Sequence, residues 1–597
     1  MRSNMVSVKK GLLIGLIIVV LVVAGSLPPA RLDLGRPSSE GTVAGVMHVH
    51  TSRSDGSGTV AEVAAAAARA GLAFIIFTDH GDGTRQPDPP MYRSGVLCLD
   101  AVEISSIGGH YIALGMPAAP YPLAGEPDSV AEDVKRLGGF GVVAHPDSQK
   151  SDLAWRGWDA PFDGVEWLNL DTSWRTKVRQ SQWRQRLNLA RTLVAYPFRP
   201  AETIAHLVAG TSFGATQWTT LSKFGRHKVV MLAGADAHAR LSLQTAGWGR
   251  AFQLISIPGY ESSFRALSLH VLVEHPFEGD AARDAVTILQ SIRRGRVYIA
   301  ADGLASPPSL QFTGSTSHGF FNFGDSVVAS DPVTLHVASN APSTYTTTLW
   351  RNDRPLVFAQ GRSDITQSVS DSSGAYWVEI KAPSQDGELP WIVSNPIYVS
   401  GLAAPKTAPP VGRMIKSSQN LFDRRYRADW HIESDRASRG TLQVASNSGA
   451  VEVSLHYALA KPPVLNQFVA LVSDPLDGRP QPNRLSFCAR ADRPIRVLVG
   501  IRDTQDAQWF RSAFIDDTPR EVSIGFTDML AENALTHAPT APRIKNVLFV
   551  IETTHTKAGS SGWLWLKDLE LQETGDVDEP SDAPRVEALG VGSATSR

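Results

Sequence analysis

From Val43 to about Asp302 the chain alternates short apolar runs with helix-length segments, and beyond Asp302 only strand signals remain. Thr59-Val60-Ala61-Glu62 is a capping box that opens an Ala-rich helix, Gly71 closes it, and Phe74 to Phe77 follows as a buried strand. The unit recurs. Ser129-Val130-Ala131-Glu132 predicts a second capped helix, Gly138 and Gly139 its end, and Gly141 to Ala144 the next strand. Further apolar runs stand at Gly164 to Leu168 and Val229 to Leu232. Such alternation fits one α/β barrel or a doubly wound sheet over residues 43–302. After it, Val333 to Val337, Tyr345 to Trp350 and Tyr376 to Ile380 are separated by turn residues and predict a β-sandwich over 303–400. A Pro-rich linker at 401–415 leads to a second all-β unit over 416–572, and residues 573–597 read as a polar, disordered tail.

At the other end, Gly11 to Ala30 carries no charge and follows Arg2, Lys9 and Lys10. The apolar core Gly11 to Leu27 is at the lower edge of what crosses a bilayer as a helix, and the flanking cations place the N-terminus in the cytoplasm. Two readings of residues 1–30 stay open: an uncleaved signal anchor in the inner membrane, or a signal peptide cut near Ala24 or Ser26. Both export the rest of the chain. It is then membrane-anchored and faces the periplasm or cell exterior, or it is secreted. Residues 31–42 read as a linker.

Composition narrows the chemistry. Lys plus Arg is 57 and Asp plus Glu 59, a balance that disfavours a broad nucleic-acid surface. The two cysteines, Cys98 and Cys488, cannot build a thiolate zinc site. A transition-metal site here must use His, Asp and Glu, and sixteen histidines are available.

Five short constellations supply them. His48-Val49-His50 ends the first strand, where positions i and i+2 share a side, and Asp55 follows in a tight Ser54-Asp55-Gly56 turn. Thr78-Asp79-His80 follows the apolar strand Phe74 to Phe77. Glu103 ends an otherwise apolar stretch, His110 opens Tyr111 to Leu114, His145 follows Gly141 to Ala144, and Asp236-Ala237-His238 follows Val229 to Leu232. Each alone reads as a cap or loop residue. Together they are nine side chains after apolar strands whose carboxyl ends converge on one mouth in a barrel, and so many ligating groups are costly to desolvate without cations. Two or three divalent ions (Zn, Mn or Fe) fit that number of ligands. Asp79 is either an acceptor that orients an imidazole or a loop cap. Arg53, Arg85 and Arg240 lie beside the motifs as candidate partners of an anionic substrate oxygen or as ordinary solvated arginines.

The order H-x-H, S-D-G, T-D-H, a strand Glu, G-H, His-Pro and D-x-H resembles the polymerase and histidinol phosphatase (PHP) superfamily. Gly109 to Gly115 and Gly164 to Trp167 resemble its carbaryl-hydrolase-like CehA/McbA branch, with weaker similarity at Trp391 to Tyr398. The resemblance implies a distorted (β/α)7 TIM-like barrel holding two or three metals. It further implies His48, His50, Glu103 and Asp236 on a first ion, Asp55, His80 and His238 on a second, and Glu103, His110 and His145 on a third. Asp55 stands where some members have His, which shifts that site toward oxygen ligation.

The resulting expectation is an α/β barrel, two all-β sandwiches and an N-terminal apolar helix. Its activity is metal-assisted hydrolysis by a metal-bound hydroxide, with no separate protein nucleophile, on a small anionic ester. The superfamily favours phosphoesters and the branch allows carbamates or amides. An amidohydrolase barrel also begins with H-x-H but fits the later motifs less well. A different class of reading is a surface-anchored glycan-binding protein: the last unit resembles a galactose-binding-like jelly roll, and Trp509, Trp563 and Trp565 are candidate sugar platforms. Against that, Trp563 and Trp565 alternate with Leu564 and Leu566 as core residues of a half-buried strand would.

Overall fold

The computed structural model describes residues 14–15, 17, 20–35, 41–179, 183–208, 228–239, 241–243, 252–255, 258–329, 331–361, 364–370, 373–384, 387–401, 414–422, 429–447, 450–474, 476, 482–531, 536–538 and 543–575. They divide into two compact units, Met1–Ala404 with Glu552–Ala558, and Pro405–Ile551 with Gly559–Arg597. Across both, the architecture is mostly β-sheet with few helices.

The first unit is organised around a closed ring of strands. Its elements are β1 (Thr42–Val49), α1 (Val60–Ala70), β2 (Phe74–Phe77), β3 (Val96–Asp100), β4 (Val102–Ser106), β5 (Gly109–Leu114), α2 (Pro127–Arg136), β6 (Phe140–Val143), β7 (Gly164–Asn169), α3 (Leu170–Arg179), α4 (Trp183–Ala195), α5 (Pro200–Ala205) and β8 (Val230–Ala237). β1 lies parallel to β2 on one side and to β8 on the other. β2 pairs in parallel with β3, which runs through Ala101 into β4. β6 to β7 and β7 to β8 are again parallel and close the ring.

Regular β/α alternation fails in the middle. β4 and β5 form an antiparallel hairpin, and β5 pairs antiparallel with β6. The turn Ile107-Gly108 is too short for a helix, so the strands on either side run in opposite directions. A regular all-parallel barrel is therefore not what these strands form.

Local rules account for the helices. Thr59 caps α1 in the expected box with Glu62, and Gly71 ends it at φ 81 in the left-handed region. The second expected box is corrected. α2 begins one turn earlier, with Glu126 at the cap and Pro127 in the first turn, which leaves Ser129 inside the helix. Proline is at home there because its missing N–H is one the helix could not have bonded.

Two further expectations change. Among the described residues no helix is long and apolar enough to cross a membrane, against the transmembrane expectation for residues 1–30, of which 1–13, 16, 18 and 19 lie outside the described residues. The helical residues there stop at Ser26, ahead of Pro28 and Pro29, which cannot continue a helix. The boundary at 302–303 is likewise not a separation. β9 (Ser268–Leu272) joins β1, β10 (Val297–Ala300) joins β9, and β11 (Gly387–Ser394) joins β10, so one continuous sheet runs from the ring into the following sandwich. Leu32–Asp33, read as linker, pairs with Ala305–Ser306, while 402–413 and 576–597 lie outside the described residues.

Buried Asn395 pins this junction. Its Oδ1 accepts from the Met231 N–H at 2.8 Å and its Nδ2 donates to the carbonyls of Met231 and Val297, each at 2.8 Å. Asn395→Ala strands three buried backbone groups and should destabilise the first unit by about 3 kcal/mol, read from its urea transition.

The second unit is a sandwich of two six-stranded sheets. One contains β12 (Ala450–Ala458), β13 (Arg484–Ala491) and β14 (Ser561–Gly575), with β14 between the other two. Leu455, Phe487, Val499, Phe549, Leu564 and Leu566 fill the space between the sheets.

Candidate metal centre

The ring brings all nine predicted side chains together. They fall into four overlapping groups whose ligating atoms lie within 4.8 Å of one another: His50, Asp55, His80 and His238; His48, His50 and Asp236; His48, Glu103 and His145; and His80, Glu103 and His110.

Strand geometry explains the convergence. In the β4–β5 hairpin Glu103 faces Ile112 and Ser105 faces His110, so Glu103 and His110 emerge on the same side of the sheet. Three other members sit where a strand is bent: His48, His145 and Asp236 have φ of 60, 27 and 45. L-residues adopt such values at a cost of about 1–3 kcal/mol each, and this strain is commonly stored at functional sites. Here all three bends occur at or just past the carboxyl ends of β1, β6 and β8 and turn a ligating side chain into the cluster.

Glu103 is the hub. Its Oε1 is 2.7 Å from His110 Nδ1 and 3.0 Å from His145 Nε2. Its Oε2 is 3.2 Å from both His48 Nε2 and His50 Nε2, and 3.3 Å from His80 Nδ1. Asp236 Oδ1 lies 3.6 and 3.7 Å from the same two Nε2 atoms. Asp55 faces His238 at 3.2 Å, His50 at 3.4 Å and His80 at 3.8 Å.

These atoms are spaced as ligands around a cation would be. His48 Nε2, His50 Nε2 and Glu103 Oε2 are buried, face one another, and make no hydrogen bond. Ligands at about 2.0–2.2 Å from a tetrahedral ion stand about 3.3–3.6 Å apart, close to the separations observed. Unpaired polar atoms of this kind are costly in a folded interior, and a divalent cation satisfies all three at once.

Charge follows the same logic. Burial disfavours the His48 imidazolium, but the carboxylates of Glu166, Asp236 and Glu103 outweigh it and hold the pKa well above the usual value. Burial also opposes protonation of His238, yet its bond to Asp55 and the charges of Asp236 and Asp55 raise it to about 9. For Glu103, desolvation is overcome by the charge of His48 and by the bonds to His110 and His145, and the carboxyl lies well below its ordinary range.

One important residue was not singled out from sequence. Glu166, buried on β7, receives His48 Nδ1 at 2.6 Å through Oε1, while its Oε2 accepts from the His145 backbone N–H at 2.7 Å and Asn169 Nδ2 at 2.8 Å. It fixes the His48 ring so that Nε2 faces the cluster, the arrangement that raises a ligand's basicity. Its signal was a lone carboxylate inside the apolar run Gly164 to Leu168. Gly234 makes room for it, because a Cβ there would overlap the Glu166 carboxylate. Gly234→Ala should therefore weaken metal affinity by about 10- to 100-fold while the chain stays folded, measured by competition with a chromogenic chelator.

Asp79 is resolved as a loop cap. It accepts from the Thr51 N–H at 2.7 Å, Thr51 Oγ1 at 2.8 Å and Ser54 Oγ at 2.7 Å, and bonds no imidazole directly. Its hold on the loop between His50 and Asp55 makes it a positioning residue. The arginines are engaged too: Arg53 pairs with Asp88 and Asp100, and Arg85 with Asp100. Arg240 lies outside the described residues.

Beside Asp236 and His238 opens a cavity of about 40 Å³, walled by Leu170, Trp174, Leu193, Tyr196, Ile204 and Leu207. Arg175, paired with Asp171, also lines it.

No family model and no curated protein matches the chain. Among solved structures it is similar to the family 11 carbohydrate-binding module of cellulase Lic26A-Cel5E of Clostridium thermocellum, at 14% identity, 27% of this chain, 95% of that one and a TM-score of 0.20. It is also similar to TmCBM61 in complex with β-1,4-galactotriose, at 10% identity, 24% and 88% coverage and a TM-score of 0.16. An exo-β-agarase matches at 10% identity, 28% and 26% coverage and a TM-score of 0.19. Likeness at this level carries no argument about activity.

Proposed function

We propose that the chain is a metal-dependent hydrolase with a two- or three-ion centre, acting most readily on phosphoesters, and that its strand ring is a distorted (β/α)7 barrel of the PHP type. The observation that carries this reading is the set of mutually facing, unbonded atoms His48 Nε2, His50 Nε2 and Glu103 Oε2.

His48, His50 and Asp236 would hold one ion with Glu103; Asp55, His80 and His238 a second; and His110 and His145, again with Glu103, a third. When bound, such ions supply Lewis acidity toward a phosphoryl or carbonyl oxygen and acidify a water. The chain's own residues prepare the site. Glu166 orients His48, and Asp79 holds the Thr51–Ser54 loop through Thr51 and Ser54.

The cavity beside Asp236 and His238 has an apolar wall, which suits an ester whose non-reacting side is apolar. That wall also favours a carbamate or amide with a similar group as the second reading. The test is hydrolysis of p-nitrophenyl phosphate, bis-p-nitrophenyl phosphate and a naphthyl carbamate by chelated and metal-restored protein. Turnover of at least one substrate that returns only with metal supports the proposal. Full activity of the metal-free chain, or none on any substrate after metal is restored, contradicts it.

A further inference from the structure

We propose that the outer face of one sheet in the second unit is a platform for a neutral polysaccharide, built on Trp563 and Trp565. Strand periodicity had suggested that these rings pack in the core, and the structure reverses this. Leu564 and Leu566 point inward at 0% and 1% exposure, and the two tryptophans lie half-buried on the opposite face. Trp509, the other candidate platform, packs against the core and is set aside.

The face is ordered around the two indoles. Their centroids are 6.0 Å apart and their planes 19° from parallel. On β12, His456 stands directly opposite Trp563, with ring centroids 4.8 Å apart. On β13, Arg490 stands opposite Trp565 and its guanidinium carbon lies 3.9 Å from the ring centroid. In the next row Lys567 meets Glu452 at 3.1 Å, and the same carboxylate oxygen is 3.8 Å from Arg490.

This combination matches one ligand chemistry. A pyranose presents a face of C–H groups that packs on the electron-rich face of an indole, and a rim of hydroxyls that both donate and accept hydrogen bonds. Trp563 and the face of Trp565 that Arg490 does not cover supply the first, and Arg490, Lys567, His456 and Glu452 supply both halves of the second. A nucleic-acid strand also stacks on aromatics but needs an uncompensated basic groove, and here Glu452 offsets the cations. The proposal is independent of the hydrolase reading, since it uses no residue of the metal cluster.

The experiment is affinity gel electrophoresis of the full-length protein, with EDTA present, in gels containing soluble mixed-linkage β-glucan, galactan, xylan or dextran. At least one polysaccharide should retard the protein. The double substitution Trp563→Ala with Trp565→Ala should weaken that retardation by about tenfold or more, as loss of aromatic anchors does. Trp565→Tyr, which keeps an aromatic face and protects against misreading a folding defect, should retain binding within about threefold. No retardation in any gel, retardation that depends on metal, or retardation unchanged in the double variant would each overturn the proposal.

Discussion

Asp236→Asn should abolish metal-dependent turnover, with a loss of about 10³-fold or more in kcat/KM, because several kcal/mol of metal-derived stabilisation is withdrawn from the transition state. Asp236 Oδ1 is the carboxylate oxygen that faces both His48 and His50, at 3.6 and 3.7 Å. The amide keeps the shape and removes the charge. His48→Ala should be as inactive, and also less stable: it leaves Glu166 and Glu103 buried without their shared imidazole, a situation that costs about 3–5 kcal/mol for a broken buried pair. The two variants thus separate ligand loss from destabilisation. Measured side by side by steady-state kinetics and by thermal melting of the chelated proteins, His48→Ala should show the larger drop in Tm.

Metal removal should have the other large effect, and its pH dependence has a definite sign. In the metal-free chain the His48 pKa is raised well above its ordinary value and that of His238 to about 9, in both cases because carboxylate charge exceeds the burial term. A raised imidazole pKa contributes stability that is fully present below about pH 6.5 and is lost as pH rises through the folded value. The metal-free protein should therefore melt at progressively lower temperature between pH 6.5 and 9. Metal binding displaces those protons, so affinity rises over the same interval. The Tm increase on adding excess zinc should accordingly be larger at pH 8.5 than at pH 6.5, and at about 1,000-fold excess over Kd the stabilisation amounts to about 4 kcal/mol. A shift that shrinks with rising pH would contradict the assignment of these imidazoles as ligands.

Much of the candidate site was legible because its His, Asp and Glu residues sit at the ends of apolar runs. His48, His50, His80, His145, Asp236 and His238 all follow strand-like segments, and the ring brings those ends together. Glu166 was harder. It sits within an apolar run, and its role depends on the approach of His48, 118 positions away. Gly234, which leaves it room, gives no local sign of that contact.

The fold divides in the same way. α1 announces itself through Thr59, Glu62 and Gly71, all local signals. The hairpin of β4 and β5 was read as two separate segments, although Gly108 and Gly109 offered a turn cue. The sheet shared between ring and sandwich had no local signal, since β10 and β11 are neighbours in space only. The tryptophans of β14 show another limit. Period-2 alternation separates Trp563 and Trp565 from Leu564 and Leu566, but with both sets apolar it cannot say which faces the core.

The central claim is that the nine-residue cluster holds divalent ions. Its most direct test is elemental analysis of the purified full-length protein, followed by calorimetric titration of the chelated protein with zinc and with manganese. Two or three ions per chain, reduced by at least one in Asp236→Asn, is the predicted result. A wild-type chain that takes up no divalent metal, or an Asp236→Asn chain that binds the same number with unchanged affinity, would contradict it.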